Sequence, residues 1–205
     1  DNVAAAAGAG AQGFDHGDDL VDALALLVEP IGTIAIGRPI DPLLAVNRPK
    51  VAPARGKCFV VIAPNNDPGT EDIFAGDERV LFCSSFEHPL YPYTGAETNN
   101  EHIINLPLAG GCRGTAWREQ VKQHWLPAID RFAPQLILIS AGFDGHAEDE
   151  MAHFMLREED YQWIATELKQ LADKHCQGRI VAMLEGGYAL SALGRSVVAF
   201  LKGLL

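Results

Sequence analysis

The chain is expected to fold as a three-layer α/β/α sandwich around a mainly parallel sheet, and three observations carry that expectation. Four short apolar runs, Cys58–Ile62, Arg79–Cys83, Leu136–Ser140 and Ile180–Leu184, are bounded by Pro, Gly or charge, as strands buried on both faces are. Between and after them, Ala116–Phe132, Glu158–His175 and Ala189–Leu204 have helical length and periodicity, and strands alternating with helices indicate a parallel sheet covered on both sides. Third, two of the runs stop at glycine and then present polar side chains: Leu136-Ile-Leu-Ile-Ser-Ala-Gly-Phe-Asp144-Gly-His146 and Arg179-Ile-Val-Ala-Met-Leu-Glu-Gly-Gly-Tyr188. That arrangement puts Asp144, His146 and Tyr188 at strand carboxyl ends, where open α/β sheets bind ligands.

Residues 1–56 read differently. Gly8, Gly10 and Gly13 weaken any helix begun by the alanine-rich start. Asp18 and Asp19 can cap a helix over Leu20–Val28, ended by Pro30 and Gly32, and Thr33–Gly37 suits a short strand. Pro39, Pro42, Pro49 and Pro53 then disfavour helix and central strand alike, so this stretch reads as an irregular crossing segment. The expected organisation is an N-terminal segment 1–56 joined to a regular unit 57–205, together one domain.

Composition narrows the function. With 48 % hydrophobic and 21 % charged residues in 205, the chain is of globular type. Its formal charge of −11 argues against nonspecific attraction to nucleic-acid phosphates or anionic lipid and is compatible with a cationic substrate. Cys58, Cys83, Cys112 and Cys176 are widely spaced with no C-x-x-C pair, which favours buried free thiols and a reducing cytoplasm. The start lacks the basic region and apolar core of a signal peptide, and no apolar run approaches the roughly 20 residues that span a bilayer.

Four ordered motifs resemble the zinc-dependent histone deacetylase and acetylpolyamine amidohydrolase family, most like its bacterial class II members: Gly69-Thr-Glu-Asp-Ile-Phe74, Ser84-Ser-Phe-Glu-His-Pro-Leu-Tyr-Pro-Tyr-Thr-Gly95, Ser140-Ala-Gly-Phe-Asp-Gly-His146 and Glu185-Gly-Gly-Tyr188. The resemblance runs from about Lys57 to Leu205 and implies the arginase/deacetylase fold. It also implies amide hydrolysis of an acetyl-lysine peptide or acetylated polyamine, Asp144 as a zinc ligand, and Tyr188 as the donor that stabilises the developing oxyanion. His88 and Gly187 then belong to the substrate rim, as does the loop with Gly110, Gly111 and Gly114, which by spacing alone is a flexible turn.

The resemblance equally implies what is missing. Family members carry an Asp-x-His-His-Gly-Asn-Gly-Thr segment whose first Asp and first His bind zinc; aligned through Gly69-Thr70, those positions hold Ala63 and Asn65. The paired histidines of general acid-base catalysis, in a Pro-Gly-His-His context, have no counterpart in the chain. Zinc is therefore expected to be absent or substoichiometric, since three or four protein ligands are the norm. The chain is expected to be catalytically deficient as written. Two alternatives stay open: an active hydrolase completed by residues 1–67, with Asn65, Asn66, Asp67 or the Asp15-His16 cluster as donors, and a noncatalytic acyl-lysine binding protein.

The remaining polar residues have plainer expectations. His146 and His153 are read as solvated loop residues. Trp117, Trp125 and Trp163 are expected to pack against the sheet, and Arg118, Glu119 and Lys122 to form solvated helix faces.

Overall fold

The computed structural model describes residues 33–36, 58–62, 68–90 and 93–205. The chain divides after Pro30, and everything described belongs to the unit Ile31–Leu205. The expected helix over Leu20–Val28, the Pro-rich crossing and the Asp15-His16 cluster lie outside the described residues.

Among the described residues six strands form one sheet: β1 Thr33–Ile36, β2 Cys58–Ile62, β3 Val80–Glu87, β4 Ile103–Leu108, β5 Leu136–Ala141 and β6 Ile180–Leu184. Their spatial order is β1-β6-β5-β2-β3-β4. Every neighbouring pair is parallel except β1 with β6, where Thr33 stands opposite Met183 and Ile36 opposite Ile180. The central run β5-β2-β3 aligns Leu136 with Cys58 and Cys58 with Val80, so all three strands start at one level and point their carboxyl ends to one edge, where β3 runs on to Glu87. All eight residues of β3 are buried, the condition that makes its first half, Val80–Cys83, a continuous apolar run rather than an alternating one.

Two strands depart from the expected pattern. β3 continues four residues past Cys83, because Ser84, Ser85 and Glu87 are polar yet buried. β4 has no apolar-run signature of its own, because it contains Pro107, which removes a ladder donor and argues against a central strand. It sits at the edge, where a proline costs nothing on the outer side. The side chains of Asn99 and Asn100 further blunt this edge: Asn100 Oδ1 accepts the N–H groups of His102 and Ile103 at 2.8 Å each, and Asn99 Oδ1 accepts that of Asn105 at 2.7 Å. Taking up edge donors this way blocks pairing with another strand.

Among the described residues five helices accompany the sheet: α1 Pro68–Phe74, α2 Gly114–Gln120, α3 Leu126–Phe132, α4 Glu158–Cys176 and α5 Leu190–Leu204. Between α2 and α3 the chain stays helical through a π turn, Val121–Trp125, so the single helix expected over 116–132 is one continuous but internally widened rod. Trp117, Val121, Trp125 and Ile129 are all buried at 2 % exposure or less and meet Leu81, Cys83, Ile137 and Ile139 on one face of the sheet. α4 carries Glu158, Glu159 and Asp160 in its first turn and Lys174 and His175 in its last, each set favoured by the helix dipole. Asp160 reaches back to accept the Arg157 N–H at 2.8 Å, and the helix ends at Gln177, whose φ of 55° is left-handed. α5 packs along α4, with Gly203 facing the backbone of Gln162.

Trp163 is a correction. It lies one layer outside the sheet contact, edge-on to Trp117 at 6.0 Å between ring centroids, with the Arg118 guanidinium and the Lys122 ammonium over its face at 5.5 and 5.4 Å. Arg118 is likewise no free surface charge: its Nε donates to Asp160 Oδ1 at 2.7 Å.

Candidate functional site

The site is built where the loops after β5 and β6 meet. β5 ends at Ala141, and Gly142-Phe143 lead to Asp144, whose side chain is 2 % exposed. The loop after β6 is sewn to this one: Glu185 donates its N–H to Ala141 O at 3.0 Å, and Phe143 donates to Gly186 O at 2.8 Å. The two glycines ahead of Tyr188 serve different needs. A Cβ on Gly186 would lie 2.8–2.9 Å from the Asp144 carboxyl atoms, so only glycine leaves room for that carboxylate. Gly187 has φ of 136°, which side-chain-bearing residues avoid. Tyr188 follows with 60 % of its surface exposed.

His146 is the main correction to the sequence reading. It is 1 % exposed, because the segment 143–156 folds back on itself: Ala147 donates to Leu156 O at 2.9 Å and Leu156 donates to Gly145 O at 3.1 Å. The ring Nδ1 accepts the Glu148 N–H at 3.1 Å, which leaves the proton on Nε2, 3.4 Å from Glu158 Oε2. Glu158 in turn accepts from Arg195 Nε at 2.5 Å, and Arg195 also reaches Glu148 at 2.7 Å. His146 thus belongs to a brace joining the Asp144 loop to the starts of α4 and α5. The sequence carried no sign of it beyond charge in the loop.

The Arg195 guanidinium, helped by the backbone N–H at the helix start and by His146, holds the Glu158 carboxyl from 4.5 down to about 2. A carboxylate whose pKa is depressed by folding adds stability above its unfolded pKa near 4.3 and loses it as the pH falls towards 2. Glu158→Gln is expected to lower stability by about 1 kcal/mol at pH 7, discounted for partial exposure. That difference should vanish by about pH 2. Urea midpoints of both proteins at pH 7, 5 and 3 check this; a gap independent of pH would rule out the ion pair as its source.

On the other side of the mouth, Glu87 closes β3 with its side chain buried, accepting the His153 N–H at 2.8 Å and facing His153 Nδ1 at 2.9 Å. His153 itself is exposed, as expected. A Cβ on Gly110 would strike Glu87 Oε1 at 2.7 Å, and one on Gly114 would strike Asp160 at 2.0 Å. Gly111 donates to His153 O at 2.7 Å. The glycine loop is therefore closely packed rather than a flexible turn. His88 is half-buried just past β3 and donates its N–H to Leu108 O at 2.8 Å. Its Nδ1 is buried with no partner among the described residues.

Sequence reasoning missed two carboxylates here. Glu87 sits at a strand's carboxyl end, the position that singled out Asp144. Asp149 is one of three acids in a row, a pattern that reads as a solvated loop, yet it is 8 % exposed and accepts backbone N–H groups from both loops.

Asp144 is placed to offer a carboxylate oxygen at the sheet's mouth. Among the described residues, however, no three of His, Cys, Asp and Glu converge into a set that could hold a metal ion. Ala63 and Asn65 lie outside the described residues, and by identity neither supplies a carboxylate or an imidazole. The donor set of the described residues does not by itself fit zinc. Among the described residues three thiols are free, Cys83 and Cys176 buried and Cys112 half-buried; burial pushes all three thiol pKa values up, so none of these three is activated.

A mainly parallel α/β sheet with a buried aspartate and a glycine-positioned tyrosine beyond adjacent strands is consistent with an arginase/deacetylase-like fold. The histone deacetylase domain profile matches residues 68–204, and the chain belongs to that family. It is 36 % identical over 143 residues to "Histone deacetylase 14, chloroplastic" of Arabidopsis thaliana, covering 67 % of this chain and 34 % of that protein. It is 32 % identical over 145 residues to "Histone deacetylase-like amidohydrolase" of Pseudomonas aeruginosa, covering 66 % and 38 %. Among solved structures, the HDA15 HD domain superposes with a TM-score of 0.65 at 28 % identity over 72 % of this chain and 44 % of that one. The histone deacetylase Clr3 gives 0.67 at 25 % identity over 76 % and 28 %. The chain spans little more than a third of the length of these curated relatives.

Proposed function

We propose that this is a histone-deacetylase-like protein of the zinc-dependent amidohydrolase class that is catalytically deficient as written. One observation carries the reading: Asp144 and Tyr188 follow the adjoining strands β5 and β6, and it is supported by the family motif, which when aligned through Gly69-Thr70 sets Ala63 and Asn65 where relatives have the other two metal ligands. The substrate class is that of the family, an acetyl-lysine peptide or an acetylated polyamine, and the charge of −11 suits either cationic carrier. In a bound acyl amide, the Tyr188 phenol would donate a hydrogen bond to the carbonyl oxygen and stabilise negative charge there. Nothing in the sequence replaces the paired histidines that would move protons, so polarising the carbonyl leads to little hydrolysis. Free, unactivated thiols suit a reducing compartment such as the cytoplasm.

Elemental analysis of the purified chain, paired with a fluorogenic acetyl-lysine assay, tests this. Zinc well below one per chain and turnover near background are expected. One tightly held zinc per chain, or robust turnover, would overturn the proposal.

A further inference from the structure

Asp149 lies five residues beyond Asp144 in the loop after β5, with its carboxylate buried. Oδ2 accepts the N–H groups of Tyr188 at 2.6 Å and Ala189 at 2.9 Å, and Oδ1 accepts that of Met151 at 3.0 Å. Two of these three donors come from the turn that bears Tyr188. The tyrosine side chain is mostly exposed, so packing fixes it little and its place is set by its backbone. Ahead of it stand Gly186 and Gly187, which have more backbone freedom to lose than any other residue. A turn of this composition needs an anchor, and Asp149 is bonded to the tyrosine's own amide and to the next one.

We propose that Asp149 is a positioning residue: its carboxylate pins the Tyr188 turn to the Asp144 loop and so sets where the phenol stands. The inference rests on the reading of Tyr188 as the carbonyl-facing group. The charged form is the one that suits the task, since both oxygens accept. Burial raises the Asp149 pKa, but the N–H bonds from Ala189, Met151 and Tyr188 outweigh it and the pKa is lowered overall. The carboxylate is therefore held through the neutral range. Asparagine has nearly the same shape, yet its amide NH₂ would face N–H donors on one side or the other, so one half of the clasp opens.

The test uses the full chain labelled with 3-fluorotyrosine and read by ¹⁹F NMR. The four tyrosines are Tyr91, Tyr93, Tyr161 and Tyr188; Tyr188→Phe assigns the resonance of interest, and buried Tyr161 reports on the fold. Asp149→Asn should shift and broaden the Tyr188 resonance while leaving Tyr161 in place. Glu150→Gln, which removes the same charge from an exposed neighbour, should leave both unchanged. Equal responses to the two substitutions, or a Tyr161 shift accompanying that of Tyr188, would overturn the proposal. Should Asp149→Asn fail to fold, amide exchange in the unaltered chain decides the matter: Tyr188 and Ala189 N–H groups that exchange as fast as an open loop would refute the clasp. No arm needs metal or turnover. Titrating an acetyl-lysine peptide into the same sample separates the two claims, because a Tyr188 resonance indifferent to the peptide removes the site reading while the Asp149 coupling stands or falls by itself.

Discussion

Restoring Asp at Ala63 and His at Asn65 is expected to raise zinc affinity by orders of magnitude and still leave deacetylation weak. Structural zinc sites in peptides are worth about 10–16 kcal/mol, and most of that is forfeited when two of three protein ligands are missing. Asp144 is already placed at the mouth of the sheet, at 2 % exposure, so the two new side chains would complete a set of donors rather than start one. Turnover is a separate matter. The chain offers no Pro-Gly-His-His segment, and general acid-base catalysis typically contributes about 10²–10⁴-fold. Zinc titration and acetyl-lysine turnover, measured on Ala63→Asp/Asn65→His and on the starting chain, check both halves. Failure of the double variant to bind zinc would mean that the segment ahead of α1 does not bring those positions to Asp144.

Gly203→Ala is expected to destabilise the protein by about 3 kcal/mol, the upper part of the usual range for overpacking. A Cβ there would stand 2.4 Å from the Gln162 carbonyl oxygen and 2.7 Å from Ala165 Cβ. Neither obstacle is the end of a flexible side chain; one is backbone and the other a Cβ within α4, so the helices must separate. Alanine's better helix propensity, worth about 1 kcal/mol over glycine, offsets part of the cost and is included in that figure. The urea midpoint measures the result, and an unchanged midpoint would show that α5 shifts freely against α4.

Much of the fold could be read from sequence because its strands are buried on both faces. β2, β5 and β6 fall where their apolar runs lie, and α4 begins at the acidic turn and ends within a residue of the expected place. What escaped did so for identifiable reasons. β4 contains Pro107, a residue tolerated because the strand stands last in the sheet order and pairs only with β3. His146 looks like a loop residue until the loop's own backbone bonds fold it inward, a long-range effect that no local pattern records. Asp144 and Tyr188 were legible through glycine and strand ends. Asp149 was not, since its importance lies in partners about forty residues away in the chain.

The π turn at Val121–Trp125 has a consequence for how length can vary in this protein. In a regular α-helix each residue turns about 100°, so Trp117 and Trp125, eight residues apart, would diverge by about 80°. The widened turn absorbs one residue without advancing the helix, which returns Trp125 to within about 20° of Trp117 and keeps Ile129 beneath the sheet. The extra residue is thus already accommodated, and a related chain one residue shorter between Val121 and Trp125 would run as plain α-helix and present the same buried face. An insertion of one residue elsewhere in the rod has no such refuge: it would rotate everything downstream by about a quarter turn and carry Ile129 out from under the strands. Tolerance to a change in length is localised to five residues of an otherwise rigid element.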